Sequence, residues 1–371
     1  MTKIVELNIN PKILQWAREE SGYSVPEMAG KLGLQEELYL PWEKTGTGVP
    51  FTILRDIATT LKRQIAVFFL TQIPEKVKKP SDYRNLDIEG AKLSFQTLLA
   101  IRRTNKFRDV LLELNGSEYY VSKYGGWLAD FDKELAKHPI SEKNVTIWLR
   151  HILHYSLDDQ VNDKNLEDSY LNWRNSFERD LSIHVFQFSM PQSEVQGFTY
   201  SDAYPYCIVV NGKYAVSSRI FTLFHELGHI LKRQSGLCIP DNVENEQTVE
   251  LECNLFAGRV LLPDDTMVRT TDKEEIYKHA KQLKVSSEVY LRRLKSLDLV
   301  SQDEFVTLLQ EIRSSVKRSK GFGISTPLQK SLNSRGQALF NSVLDALNNN
   351  KISYGRASDI LQVKINHILT A

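Results

Sequence analysis

Cysteine is scarce in this chain. Three residues, Cys207, Cys238 and Cys253, are spread over 371 positions. A sparse, odd set argues against a disulfide framework and for a reducing compartment. Long apolar runs are missing as well. No stretch approaches the roughly 20 residues of a membrane span, and Met1 to Glu6 begins no signal-length apolar run. A soluble, cytoplasmic protein with no membrane contact is expected. No charge of one sign dominates, since 47 Lys and Arg stand against 46 Asp and Glu. No global field therefore selects nucleic acid or lipid. Tandem repeats and low-complexity segments are lacking too. What remains is an ordinary globular composition, long enough for two or three domains.

The pattern is mostly helical. Pro11 suits a first helical position, followed by Ile13, Trp16 and Ala17 at helical spacing. Ser24-Val25-Pro26-Glu27 is a capping box, and the helix it starts should stop at Gly33. A third segment runs from about Gln35 to Trp42, with Pro41 expected to end or bend it. A fourth, Phe51 to Leu61, puts Phe51, Leu54, Ile57, Ala58 and Leu61 on one stripe. Ile65 to Leu70 reads as a short fifth helix, and Ile73 to Pro80 as a solvated linker. Residues 92–180 read as helices interrupted near Asn115-Gly116 and Gly125-Gly126, with Trp127, Trp148 and Trp173 in the core. Strand formers appear at Ile183–Phe188 and Tyr206–Val210, and Gly197–Tyr200 reads as an edge strand. Helices return beyond Lys273, broken by the basic tract Lys317–Gly323. The fold class is mainly α with a small β-sheet (α+β).

Within this frame one pentapeptide carries chemistry: His225-Glu226-Leu227-Gly228-His229, set in the helical stretch Phe221 to Leu231. Two imidazoles at i and i+4 share a helix face and can grip one divalent ion. Glu226 can take a proton from a water activated there and pass it to a leaving amine. A catalytic zinc site usually has three protein ligands. Glu250, twenty-one residues after His229, is the best third candidate, on a following helix that ends before Pro263. Asn254 lies one turn on, placed to hold a histidine tautomer by a hydrogen bond. Glu252 ranks second as a ligand, because it points to another face. Cys238 and Cys253 are near enough in sequence to remain open as ligands, though buried packing is commoner for cysteine. Zinc suits His/His/Glu, and another divalent ion would also fit. No residue can be chosen for stabilising the oxyanion. His151 and His154 have no partner motif.

The segments Arg219–Leu231 and Glu250–Pro263 together resemble the ImmA/IrrE metallo-endopeptidases, with Cys253 where that family usually has Ala. The resemblance implies a cytoplasmic zincin-like domain, with His225, His229 and Glu250 as ligands and Glu226 as the catalytic glutamate. It also implies limited proteolysis of a transcriptional regulator. The N-terminal part resembles an XRE (Cro/cI-type) helix-turn-helix in Ser24–Ala29, Trp42–Gly46, Pro50-Phe51, Leu54 and Ile57-Ala58. The implied organisation is a five-helix XRE-like domain at 1–73, a linker at 74–90 and a helical connecting region at 91–180. A peptidase domain at 181–315 and a helical C-terminal region at 316–371 complete it. Within that last region, 352–364 resembles a second small helix-turn-helix but reads as a packing element.

In such a domain the third helix enters the major groove of double-stranded DNA, which makes Gln35, Tyr39 and Lys44 the candidate contacts. Glu36 and Glu37 face a polyanion badly, and residues 1–79 carry a net charge of only +2. Two alternatives therefore stand beside the protease. One is a DNA-binding regulator whose metal domain senses or stabilises. The other is an interaction module of a toxin–antitoxin or phage-related pair.

Overall fold

Local capping chemistry sets where the N-terminal helices start. The computed structural model describes residues 5–75, 93–135, 139–140, 142–232, 237–238, 248–315 and 326–369. The described residues fall into two compact units, one up to residue 103 and one from residue 104. In the first unit, α1 (Pro11–Glu19) is capped by Asn10, whose side chain accepts the Lys12 N–H at 3.1 Å. The Ser24/Glu27 capping box opens α2 (Val25–Lys31), and Gly33 closes it at φ +68°, with Leu34 N–H donating to Ala29 O. Helix α3 (Glu36–Thr45) runs through Pro41 and past the expected end. Proline removes one intrahelical donor there. A network around Glu43 ties this helix to α1. Arg18 donates to both Glu43 oxygens at 2.6 and 2.9 Å, and the Tyr39 hydroxyl donates at 2.7 Å.

Gly46 follows α3 in the left-handed region, and a Cβ there would lie 2.1 Å from Ile9 O. Strands β1 (Glu6–Leu7) and β2 (Val49–Pro50) pair antiparallel, a contact too short to show in the sequence pattern. Helix α4 (Phe51–Thr60) buries Leu54, Ile57 and Ala58, while Phe51 is exposed. The expected fifth helix is a 3-10 turn, Ile65–Phe69, that buries Phe68. The residues of α5 (Phe95–Asn115) up to Arg103 belong to this unit.

The second unit holds the remaining helices and a four-stranded sheet. Helix α6 (Ser117–Leu135) passes through Gly125-Gly126 without a break. Two exposed glycines cost about 1 kcal/mol each in a helix. Tyr120, Tyr124, Trp127 and Phe131, buried on one face, outweigh that. Helices α7 (Lys143–Ile152), α8 (Leu157–Asn162) and α9 (Leu166–Asp180) lead into β3 (His184–Phe188). Trp127 and Trp173 are buried, and Trp148 is partly so. Strands β4 (Gly197–Tyr200), β5 (Cys207–Asn211) and β6 (Leu237–Cys238) complete the sheet in the order β3-β5-β4-β6. β5 runs parallel to β3, and β4 pairs antiparallel with both β5 and β6. Gly197–Tyr200 is thus not an edge strand, because a two-residue strand distant in sequence covers its outer side.

Helix α10 (Val216–Leu231) packs against α11 (Thr248–Leu261), α9 and the sheet. Helices α12 (Lys273–Gln282), α13 (Ser287–Ser296) and α14 (Gln302–Ser315) follow. The C-terminal helices are α15 (Pro327–Arg335), α16 (Gln337–Asn348), α17 (Tyr354–Leu361) and α18 (Ile365–Ile368). Glu178 at the end of α9 accepts the Ala338 N–H of α16 at 2.9 Å and the Val185 N–H of β3 at 3.3 Å. Arg174, also buried, is its ionic partner at 3.5 Å. Gly336, at φ +82°, has Glu178 Oε1 where a Cβ would stand. Arg335 and Ser331 donate to the carbonyls of Ile360 and Leu361, so residues 352–364 pack within this bundle. Lys76–Pro80 and Lys317–Gly323 lie outside the described residues. Among the described residues no helix is long and apolar enough to cross a membrane.

Candidate metal centre

The last two turns of α10 supply the imidazoles. His225 and His229 are each 3% exposed and Glu226 is fully buried. The aromatic backing is tight: Trp173 and Phe177 of α9 meet Phe224 edge-on at 4.7 and 5.2 Å. On the other side α11 lies close because residue 228 is glycine. A Cβ on Gly228 would meet Cys253 Sγ at 2.9 Å. That close approach brings Glu250 onto the histidine pair.

Three ligand-type groups converge. The two Nε2 atoms are 3.1 Å apart; Glu250 Oε2 lies 3.1 Å from His225 Nε2, and Glu250 Oε1 lies 3.2 Å from His229 Nε2. A tetrahedral ion with bonds of 2.0–2.1 Å separates its donors by roughly 3.3 Å, and the two rings and the carboxylate stand at about that spacing, close enough to share one ion. Asn254 Oδ1 sits 2.9 Å from His225 Nδ1. A carbonyl oxygen can only accept, so Nδ1 carries the proton and Nε2 turns its lone pair to the other two ligands. Burial alone would raise the Glu250 pKa. Hydrogen bonds and charge from both histidines outweigh it and hold the carboxylate well below its usual range. Two imidazole nitrogens and an ionised carboxylate are a donor set for zinc or a similar divalent ion. Among the described residues no other cluster of three such groups is found.

The rival ligands resolve differently. Glu252 forms an ion pair with Lys232 at the end of α10. Cys253 is fully buried against Gly228, and burial pushes its thiol pKa well up. The Cys238 side chain lies outside the described residues.

Two residues matter to the site in ways that local pattern does not show. Gly197 on β4 faces α10 so closely that a Cβ would lie 2.6 Å from Thr222 Cγ2 and 3.0 Å from Glu226 Oε1. Asn211 is fully buried where the sheet hands over to α10. It donates to Met190 O and Val195 O at 3.1 and 2.9 Å and accepts the Met190 and Lys213 N–H groups at 3.1 Å each.

Residues 178–295 match the family model of the IrrE N-terminal-like domain, Peptidase_M78. This span runs from the end of α9 through α13 and contains the whole triad. It points to a metallopeptidase-type function. No curated protein and no solved structure matches the chain.

The N-terminal candidates separate. Gln35, at the start of α3, and Lys44, in its last turn, are exposed. Tyr39 is fully buried with its hydroxyl on Glu43, so it is removed from the set of DNA contacts. Periodicity places it on the core face, one turn before Glu43.

Proposed function

We propose that this protein is a cytoplasmic metal-dependent endopeptidase of the HExxH type. Its site would hold a divalent ion, zinc first, on His225, His229 and Glu250. The observation that carries the reading is the convergence of two Nε2 atoms and one carboxylate within 3.2 Å, with Asn254 fixing a tautomer. Bound there, the ion would supply Lewis acidity toward a peptide carbonyl and acidify water. Glu226 serves as proton acceptor and donor. It follows His225 on the same helix, fully buried beside the Gly197 backbone. In that dry setting its carboxylate takes a proton from water and returns it to the departing amine. Gly197 leaves room for the carboxylate, and Asn254 keeps the His225 ring in register.

The substrate we propose is a partner transcriptional regulator, cut at a limited number of sites. The test co-expresses the chain with the product of an adjacent gene and compares wild type with Glu226→Gln. Fragments from wild type and none from the variant, at equal metal content, support the assignment. Equal fragment yield would overturn it.

For the N-terminal unit we propose an XRE-like helix-turn-helix that can meet double-stranded DNA through Gln35 and Lys44. A protein-docking role has its own support: α3 exposes Leu38 (58%) together with Glu36 and Glu37. Gel shift with the chain's own upstream region separates the two. Phosphate contact should fade steeply with salt, whereas apolar docking should not.

A further inference from the structure

The last carbonyls of a helix have no N–H partner within it. At the end of α11 they are buried, and side chains from three other helices take them up. Arg150 of α7 donates from Nε to Val260 O at 2.8 Å and from Nη2 to Leu261 O at 3.5 Å. Gln160 of α8 donates to Leu261 O at 3.2 Å, and Arg293 of α13 to Leu262 O at 3.1 Å. The two arginines differ in their charge partners. Arg293 pairs with Asp264. The acceptors of Arg150 are all uncharged, since besides the two carbonyls it meets Tyr155 O and the Gln160 side-chain oxygen. Arg150 is buried, and burial draws its pKa down to about 10, so it is still a cation at neutral pH. A buried guanidinium without a carboxylate is costly. The negative end of the α11 dipole offsets part of that cost.

The same guanidinium stands over Trp173 of α9, with Cζ 5.2 Å from the ring centroid. Trp173 is the ring that meets Phe224 edge-on, one residue before His225. One side chain therefore touches the end of the helix that carries Glu250 and the backing of the helix that carries the histidines. The Gly228 contact sets how closely these helices approach. It does not set how far α11 slides along α10. Val260 follows Glu250 by ten residues, about 15 Å of stiff helix, so a shift at the clamp is carried to the ligand.

We propose that Arg150 is a positioning residue of the metal centre. It fixes the axial register of α11 and so holds Glu250 where one ion can meet it together with His225 and His229. The proposal rests on the metal-site reading and adds a determinant to it. Arg150 and Gln160 lie outside residues 178–295, the span that matches the family model.

The test measures zinc affinity of the full chain by chelator competition, in wild type, Arg150→Met, Glu250→Ala and the double variant. Arg150→Met should weaken zinc binding about tenfold, as loss of a ligand's support does. In the Glu250→Ala background the same change should cost less than about threefold, because the ligand that Arg150 places is gone. Arg150→Lys keeps the charge but not the fork of donors, and should lose about threefold. It carries the same cycle if the methionine variant does not fold. Val343→Ala, a truncation in the core of α16, should lower the urea midpoint and leave zinc affinity unchanged. Wild-type zinc affinity in Arg150→Met, or an equal loss with and without Glu250, overturns the positioning role and leaves the metal centre standing. Failure of wild type to take up zinc removes the metal centre, and the positioning role with it.

Discussion

Gly228→Ala tests the contact that assembles the site. The added methyl would lie 2.9 Å from Cys253 Sγ, 3.2 Å from Cys253 Cβ and 3.3 Å from Cys253 Cα. Comfortable carbon contacts begin at about 3.5 Å. The thiol can rotate away, but Cβ and Cα belong to α11 and move only with it. The two helices must therefore part by a few tenths of an ångström. Overpacking of this kind costs about 1–3 kcal/mol, and alanine returns about 1 kcal/mol in helix propensity. A net destabilisation of up to roughly 2 kcal/mol is expected, read as a lower urea midpoint of the metal-free protein. The same parting separates Glu250 on α11 from His225 and His229 on α10. Zinc affinity, measured by chelator competition, should fall by about tenfold, the lower end of the effect of disturbing a ligand's support. Adding Cys253→Ala removes only the sulfur contact. The double variant should recover part of the loss, with a coupling of at least about 0.5 kcal/mol. Wild-type stability together with unchanged zinc affinity in Gly228→Ala would refute the close-packed interface.

Further outcomes follow from other positions. Asn254→Ala should weaken zinc binding by about 10- to 100-fold, whereas Asn254→Asp, which still accepts from His225 Nδ1, should stay near wild type in the same competition assay. Gly125→Ala and Gly126→Ala, each exposed in α6 with nothing within 4 Å of the new methyl, should each stabilise by about 0.5–1 kcal/mol, seen as a higher Tm. His184 is buried with its Nε2 3.1 Å from the Tyr120 hydroxyl, and burial lowers its pKa to about 3. The folded state keeps this imidazole neutral, while the unfolded chain takes up a proton below about pH 6.5. Its contribution is therefore complete above pH 6.5 and is lost as pH falls toward 3. Between pH 6.5 and 5 the loss is about 2 kcal/mol. Urea midpoints across that range should fall less steeply for His184→Asn than for wild type, and parallel slopes would contradict the assignment.

The parts of the site that were legible in sequence are those governed by spacing along one helix. His225 and His229 share a face because they are four apart, and Glu250 and Asn254 repeat the geometry on the next helix. The capping box at Ser24 and the stop at Gly33 were legible for the same local reason. What escaped depends on residues far apart in the chain. The two-residue strand β6 carries no pattern of its own, so its cover on Gly197–Tyr200 could not be anticipated. Gly125-Gly126 looked like a break because propensity was weighed without the aromatic face beneath it. Tyr39 looked available to DNA until Arg18 and Glu43 were seen to enclose its hydroxyl. The Glu178 link to Ala338 joins residues 160 apart, which periodicity cannot reach.

The central claim is that His225, His229 and Glu250 bind one metal ion, and X-ray absorption at the zinc edge tests it most directly. The zinc-loaded chain should show only nitrogen and oxygen neighbours at about 2.0–2.1 Å, with the outer-ring scattering of two imidazoles. The Glu250→Ala variant should lose that ion or change its coordination. A sulfur shell near 2.3 Å, the signature of a cysteine ligand, or the absence of imidazole scattering would contradict the account.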